Sequence, residues 1–237
     1  LAGLEGTQIS PLERDLILKH KVLGFTLFKR NIASPEAMVA LNEELQALAK
    51  QAGYELILAV DQEGGRVARL PEPFSTIKPM REWASLFEKN SNIEDIHTLG
   101  KILGSEVKAA GFNLDFAPVV DLDTNSNNPI IGDRSFSAYP DVVYKLARHF
   151  IRGLMSEGVL PCLKHFPGHG HTEKDSHLEL PVDNREAVDI ETNDLIPYQK
   201  LIAEGLAPTL MTAHVMYPKI DKDNPGTLSK PILTDWL

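Results

Sequence analysis

Cysteine is nearly absent from this sequence of 237 residues, which contains only Cys162. A single cysteine excludes an internal disulfide and a set of thiolate metal ligands, and it is typical of a reducing compartment, so we expect a cytoplasmic protein. The sequence also lacks an apolar run of membrane-spanning length and a charged and then apolar leader. Because the chain begins with Leu1 rather than methionine, the natural N-terminus and the presence of a leader stay open.

Positive charge is in the minority. The 24 Lys and Arg residues are outnumbered by 33 Asp and Glu residues, and the formal net charge is −9. Such a chain does not attract the phosphate backbone of nucleic acids or an anionic membrane, so we expect neither as a partner. Hydrophobic residues make up 43% of the chain and charged residues 24%, which is typical of a globular protein and excludes a disordered or collagen-like one.

Four segments have the apolar period of an amphipathic helix, and each is followed by a glycine. In the first segment, Ser34 is placed to cap a helix that begins at Pro35 and stops at Gly53. The four predicted helices occupy residues 34–53, 96–111, 143–158 and 195–205.

Short, continuous apolar runs alternate with these helices, at residues 23–28, 55–60, 112–120, 159–163 and 209–215. Continuous rather than alternating hydrophobicity predicts parallel strands that are covered on both faces. The order of elements therefore predicts a parallel α/β fold, either a barrel or a doubly wound sheet, in a single domain. No G-x-G-x-x-G turn follows any of the strands, which argues against a dinucleotide-binding sheet.

Charged residues lie where these strands end. Asp61 begins the string DQEGGR after the second run, Asp121 follows the third, Lys164 and His165 follow the fourth, and His214 lies near the end of the fifth. Barrels and open α/β sheets place their ligand sites at the carboxyl ends of their strands, so these residues predict a functional site. Taken singly, each could also be a polar residue that merely closes a strand.

The loop at residues 164–177 contains four of the eight histidines, with a proline and two glycines that exclude a regular helix. Two chemistries are open for it, beside a surface loop with solvated charges. One is proton transfer by Asp175 and His177, because a carboxylate beside an imidazole fixes its tautomer and raises its basicity. The other is a metal site, although the familiar zinc signatures are absent, with the ligands His169, His171, Asp175, His177 and His214.

Several strings occur in a fixed order along the chain: LEG at 4–6, Asn31, DQEGGRV at 61–67 with Arg69, FAPVVD at 116–121, GDRSF at 132–136, KHFPGHG at 164–170, DSH at 175–177 and AHV at 213–215. In order and spacing these strings resemble those of the family 3 glycoside hydrolases, in particular the bacterial β-N-acetylglucosaminidase (β-hexosaminidase) branch. Each string alone is weakly specific, but the set is highly specific and covers the whole chain.

The resemblance implies a TIM-type (β/α)8 barrel that hydrolyses terminal, non-reducing β-linked N-acetylglucosamine with retention of configuration. It implies a small carbohydrate substrate, a muropeptide or disaccharide released during peptidoglycan recycling, and we expect a monomer with no cofactor and no metal ion. His177 would be the general acid/base and Asp175 would tune it. The residues implied to hold the sugar ring are Asp61, Arg69, Arg134, Lys164 and His165.

The chemistry of these side chains agrees with the implied roles. A carboxylate such as Asp61 accepts hydrogen bonds from two hydroxyl groups, while Arg and Lys donate charge-assisted ones. A histidine, whose pKa lies near neutrality, can protonate a departing glycosidic oxygen and later take a proton from water.

One part of the family pattern is absent. The retaining mechanism needs a carboxylate nucleophile, which the family carries in a Ser-Asp-Asp-Leu or Ser-Asp-Ala-Leu string, and this sequence has neither. Residues 228–237 resemble the helix before that string, so Asp235 is a poor substitute, as is Asp121. We therefore expect a barrel truncated after about five to six β/α units, with its C-terminal part missing. A phosphorylase acting on N-acetylglucosaminides and a non-catalytic sugar-binding relative stay open as alternatives.

Overall fold

The computed structural model describes residues 1–173 and 180–237, and its centre is a parallel sheet of six strands. Each strand pairs with the next one along the chain, with no reversal of strand order. This sequential order is that of a TIM-type barrel, whereas a doubly wound sheet reverses direction at a switch point. The strands are β1 (Ala2–Gly3), β2 (Gly24–Thr26), β3 (Ile57–Val60), β4 (Leu114–Asp115), β5 (Leu160–Phe166) and β6 (Thr209–Thr212).

Helices connect these strands. They are α1 (Pro11–Leu18), α2 (Pro35–Gln51), α3 (Met80–Asn90), α4 (Ile93–Ala109), α5 (Pro140–Ser156), α6 (Ala187–Glu191) and α7 (Leu195–Ala203). The four predicted helices are confirmed as α2, α4, α5 and α7, and the glycine after each of them has a positive φ angle. At the start of α2 the Ser34 hydroxyl accepts a hydrogen bond from the Ala37 N–H at 3.2 Å, as the sequence predicts.

The sheet separates two apolar clusters. Along β3, Leu58 and Val60 pack into the large core beneath the helices, while Ile57 and Ala59 join a smaller cluster on the other face. Because successive side chains of a strand point to opposite faces, the smaller cluster lies on the inner face of the sheet. Cys162 belongs to this inner cluster and is buried within β5.

Helices α4 and α5 approach each other very closely because glycines face each other across the contact. A Cβ atom on Gly100 would lie 2.2 Å from the Phe150 carbonyl oxygen, and one on Gly153 would lie 2.2 Å from the His97 carbonyl oxygen. Only glycine fits at either position.

The predicted strand at residues 112–120 is interrupted. Only Leu114–Asp115 is regular strand, because Pro118 has no N–H to donate to the sheet. Hydrogen bonds to β5 still form on either side of Pro118: the Cys162 N–H donates to the Ala117 carbonyl oxygen at 3.0 Å, and the Val120 N–H donates to the Lys164 carbonyl oxygen at 2.9 Å. The interruption brings Asp121 beside the carboxyl end of β5, where the site begins.

Beyond β6 the chain forms an antiparallel hairpin of β7 (Met216–Tyr217) and β8 (Asp221–Pro225), and then short turns of 3-10 and π helix at Gly226–Leu228 and Pro231–Asp235. Among the residues that the structure describes, no helix is both long and apolar enough to cross a membrane.

Candidate active site

A cavity of about 520 Å³ opens at the carboxyl ends of the strands. It is lined by all five residues that the family resemblance implies for sugar binding, namely Asp61, Arg69, Arg134, Lys164 and His165. Apolar walls come from Phe116 and Met211, and His214 lies on one side. A concave site with apolar walls and a few convergent polar groups is typical of small-molecule binding.

Asp61 is the carboxylate that faces the cavity. Its Oδ1 atom lies 2.9 Å from the Nζ atom of Lys164, and its Oδ2 atom lies 3.8 Å from Nη2 of Arg69. The side chain of Asp61 is 19% exposed, whereas that of Lys164 is only 2% exposed. Lys164 therefore holds the carboxylate by a direct hydrogen bond, Arg69 lies farther away, and the carboxylate lines the cavity.

Glu63 lies behind this carboxylate and is almost fully buried. Its Oε1 and Oε2 atoms accept hydrogen bonds from Nη2 and Nε of Arg134, both at 2.8 Å, and Oε1 also lies 2.5 Å from Lys164 Nζ. Burial raises the pKa of Glu63, but the charge of Lys164 and the hydrogen bonds and charge of Arg134 outweigh it and bring the pKa to about 2. Glu63 is therefore ionised.

The imidazole of His165 is held by Asp121. Nδ1 of His165 lies 2.6 Å from Oδ2 of Asp121, and the His165 and His169 backbone N–H groups also donate to this carboxylate. Burial lowers the pKa of His165 and outweighs the opposing effect of Asp121. Burial also raises the pKa of Asp121, but the charge and hydrogen bonds of His165 and His169 bring it below its usual value. A neutral imidazole thus donates from Nδ1, which leaves Nε2 as an acceptor.

A second buried carboxyl group, Asp115, lies beneath the cluster. Its Oδ1 atom accepts a hydrogen bond from the Gln62 N–H at 2.9 Å, and within the described part of the chain its Oδ2 atom has no hydrogen-bond partner. Burial, assisted by the negative charges of Asp61 and Glu63, raises the pKa of Asp115 well above its usual range.

The remaining predicted site residues are the acid/base pair and the candidate metal ligands. Asp175 and His177 lie outside the described residues. Of the three remaining candidate metal ligands, His169 and His214 line the cavity, whereas His171 contacts Thr124 and lines a separate one. Within residues 1–173 and 180–237, no group of three His, Cys, Asp or Glu side chains is arranged to hold a metal ion.

Sequence reasoning missed the roles of two residues. In the sequence, Glu63 is one letter of the DQEGGRV string, and Asp121 is a charge at a strand end and a poor candidate for the nucleophile, with no predicted contact to His165. For Asp121 the signal was a carboxylate directly after an apolar run, since a buried charge needs partners. Nothing in the sequence around Glu63 shows that it contacts Arg134 and Lys164, which lie far along the chain.

The sequence matches the family described as the glycosyl hydrolase family 3 N terminal domain over residues 3–237. A curated relative, the beta-hexosaminidase of Hydrogenovibrio crunogenus, is 40% identical over 239 residues. That alignment covers 100% of this chain and 65% of the relative, so the chain spans just under two thirds of the relative's length.

Two solved structures are similar over nearly the whole chain. NagZ from Neisseria gonorrhoeae in complex with N-trifluoroacetyl-D-glucosamine is 37% identical, with a TM-score of 0.91 over 99% of this chain and 68% of that one. A glycoside hydrolase family 3 beta-N-acetylglucosaminidase from Paenibacillus sp. str. FPU-7 is 35% identical, with a TM-score of 0.89 over 98% of this chain and 43% of that one.

Proposed function

The chain belongs to glycosyl hydrolase family 3, and from this premise we propose that the protein is a retaining exo-β-N-acetylglucosaminidase. Its substrate is a terminal, non-reducing β-linked N-acetylglucosamine, and the reaction passes through a covalent glycosyl-enzyme intermediate. The observation that carries this proposal is the placement of Asp61, Arg69, Arg134, Lys164 and His165 around one cavity.

These side chains suit a polyhydroxylated ring. Asp61 presents acceptor lone pairs, Arg134 and Lys164 present cationic donors, and His165 presents the Nε2 acceptor, so neighbouring hydroxyl groups of a sugar find partners of both kinds. Both the carboxylate and the imidazole are already fixed by neighbours at 2.9 Å and 2.6 Å. Preorganised groups of this kind orient the ring for reaction and stabilise its transition state more than its ground state.

The proposed general acid/base is His177, with Asp175 as the carboxylate that tunes it. In the first step His177 protonates the departing glycosidic oxygen, and in the second it removes a proton from the attacking water. A group with a pKa near neutrality serves in both directions, whereas a carboxylic acid would need a strongly raised pKa.

The proposed nucleophile is an aspartate in a part of the protein beyond these 237 residues. Two observations support this. Both oxygens of Asp121 accept N–H donors and its side chain is fully buried, so it cannot attack a ligand in the cavity. Asp235 lies in an exposed turn of π helix and does not line the cavity.

The biological setting belongs to the same proposal. We propose that the substrate is a disaccharide or muropeptide derived from peptidoglycan, that the reaction serves cell-wall recycling in the cytoplasm, and that the enzyme is a monomer. Two findings support the hexosaminidase activity. The curated relative is named a beta-hexosaminidase, and the similar NagZ structure is a complex with N-trifluoroacetyl-D-glucosamine.

The test uses the protein produced from its complete gene and compares p-nitrophenyl β-N-acetylglucosaminide with the β-glucoside, with and without phosphate. The proposal predicts release of free N-acetylglucosamine, slow or no reaction with the glucoside, and a rate that does not depend on phosphate. Phosphate-dependent formation of N-acetylglucosamine 1-phosphate would instead identify a phosphorylase. Tight binding of N-acetylglucosamine without turnover would identify a sugar-binding protein.

A further inference from the structure

We propose that Glu63 is a positioning residue, which holds Lys164 and Arg134 in place at the cavity wall and balances their charge without touching the ligand itself. This inference rests on the proposed function for its kinetic consequences, but not for its electrostatic ones. Glu63 does not line the cavity, and only 3% of its side chain is exposed.

Each carboxylate oxygen of Glu63 has its own cationic partners. Oε2 accepts from Arg134 Nε at 2.8 Å, and Oε1 accepts from Arg134 Nη2 at 2.8 Å and lies 2.5 Å from Lys164 Nζ. The paired contacts fix the plane of the guanidinium group, because a bidentate pair allows little rotation. A third donor of Arg134, Nη1, is held by the Ile130 carbonyl oxygen at 3.1 Å. Arg134 is therefore oriented from two sides.

The same carboxylate joins two loops and a strand. Glu63 follows β3, Arg134 lies in the connection between β4 and α5, and Lys164 lies at the end of β5. Since these three segments meet at the carboxyl end of the sheet, a single buried carboxylate fixes their relative positions where the ligand would bind. Losing this contact would therefore alter the cavity wall as well as the charge behind it.

Glu63 also balances the positive charge of Lys164. Burial lowers the pKa of Lys164, but Glu63 and then Asp61 more than offset this, so the pKa lies above its usual value. Because Glu63 is the larger of these two influences, its removal leaves a buried ammonium group with one carboxylate and a nearby guanidinium. The titratable groups that act on Lys164 are Asp61, Glu63, Asp115, Arg134, Cys162 and His165.

The direct test measures the protonation of Lys164 in Glu63→Gln, which keeps the shape of the side chain but removes its charge. The 13Cε resonance of Lys164, assigned by its loss in Lys164→Arg, is followed against pH. We expect the Lys164 pKa to fall by about one unit or more relative to the unchanged protein. The matched control is Glu13→Gln, which alters another buried glutamate that binds backbone N–H groups near α1 and should leave this resonance unchanged. An identical Lys164 titration in Glu63→Gln and the unchanged protein would overturn the charge-balance claim.

A second variant separates charge from position. Glu63→Asp keeps the negative charge but is one methylene shorter, so it cannot reach Lys164 and both Arg134 nitrogens at once. We expect its Lys164 pKa to stay near that of the unchanged protein, while kcat/KM for the N-acetylglucosaminide falls roughly tenfold or more. Glu63→Asp with unaltered kinetics would overturn the positioning claim, including in the case where Glu63→Gln does not fold.

The two proposals fail in different ways. If the unchanged protein does not release N-acetylglucosamine but Glu63→Gln still lowers the Lys164 pKa, the proposed function is wrong and the electrostatic role of Glu63 stands. If the unchanged protein is active and neither Glu63 variant changes the Lys164 pKa or the kinetics, the activity stands and the inference about Glu63 is wrong.

Discussion

Nδ1 of His165, which lines the cavity, lies 2.6 Å from Oδ2 of the buried Asp121. The same carboxylate accepts the backbone N–H of His169 at 2.8 Å, so one buried side chain fixes both an imidazole and the loop that follows it. Because Asp121 has a lowered pKa, it is an ionised acceptor, and the imidazole must carry its proton on Nδ1. The orientation of His165 therefore depends on Asp121.

Replacing Asp121 by asparagine should disturb this arrangement. An amide has only one acceptor oxygen, and its NH2 group would face an N–H donor of His165 or His169. We expect Asp121→Asn to lower the free energy of unfolding by about 1.5–3 kcal/mol, measured by urea denaturation. Asp141→Asn, which changes an exposed aspartate on α5, should stay within about 0.5 kcal/mol of the unchanged protein. Equal stabilities of the two variants would contradict this role of Asp121.

Acid should destabilise the protein partly through Glu63. Its pKa is about 2 in the folded protein against an ordinary value of 4.5, because Lys164 and Arg134 outweigh the effect of burial. The folded state thus favours the charged form, so this stabilisation is complete above about pH 4.5 and is lost as the pH falls towards 2. We expect Glu63→Gln to flatten the pH dependence of the unfolding free energy in that window by up to about 1.4 kcal/mol per pH unit. Parallel curves for the two proteins would show that Glu63 does not contribute.

Asp61 should affect both binding and turnover. Asp61→Asn keeps the size of the side chain but removes a charged acceptor and leaves Lys164 with one fewer carboxylate partner. We expect kcat/KM on the N-acetylglucosaminide to fall roughly 10- to 100-fold, with weaker binding of free N-acetylglucosamine by calorimetry. Asp223→Asn, in the exposed β7–β8 hairpin, is the control and should change neither quantity. Unchanged sugar binding in Asp61→Asn would remove Asp61 from the proposed sugar contacts.

Loss of His177 should reduce the hydrolysis rate most for substrates that have a poor leaving group. Protonation helps a sugar or alkyl leaving group far more than an activated aryl group, which departs as a stable anion. We therefore expect His177→Ala to slow hydrolysis of a disaccharide by a much larger factor than that of an activated aryl glycoside. An equal loss on both substrates would contradict the assignment of His177 as the general acid/base.

The sequence predicted the long elements of the fold and the place of the site. Helices α2 and α4 carry many buried apolar positions and end at glycines, so their period is strong. Helix α3 buries only Met80 and Ala84, and β1 has only two residues, so neither left a clear pattern. The sequence indicated the cavity because charges follow apolar runs at Asp61 and Lys164.

The contacts within the site were beyond the sequence. Glu63 contacts Arg134, which lies between β4 and α5, and Lys164, which lies within β5. A charged residue in a loop usually contacts water rather than a distant partner. The string FAPVVD also does not show that Asp121 is buried or that both of its carboxylate oxygens accept hydrogen bonds, since burial depends on how the strands pack together. Local patterns in the sequence indicate helices and strands, whereas contacts between residues far apart in the chain follow from the order in which the strands pair.

The most direct test of the central claim is the anomeric configuration of the first sugar released by the protein from its complete gene. Proton NMR during hydrolysis of p-nitrophenyl β-N-acetylglucosaminide separates the two anomers before they interconvert. A retaining exo-β-N-acetylglucosaminidase releases β-N-acetylglucosamine first, and the α anomer grows in later by mutarotation. Release of the α anomer first, or no release of N-acetylglucosamine, would contradict the account.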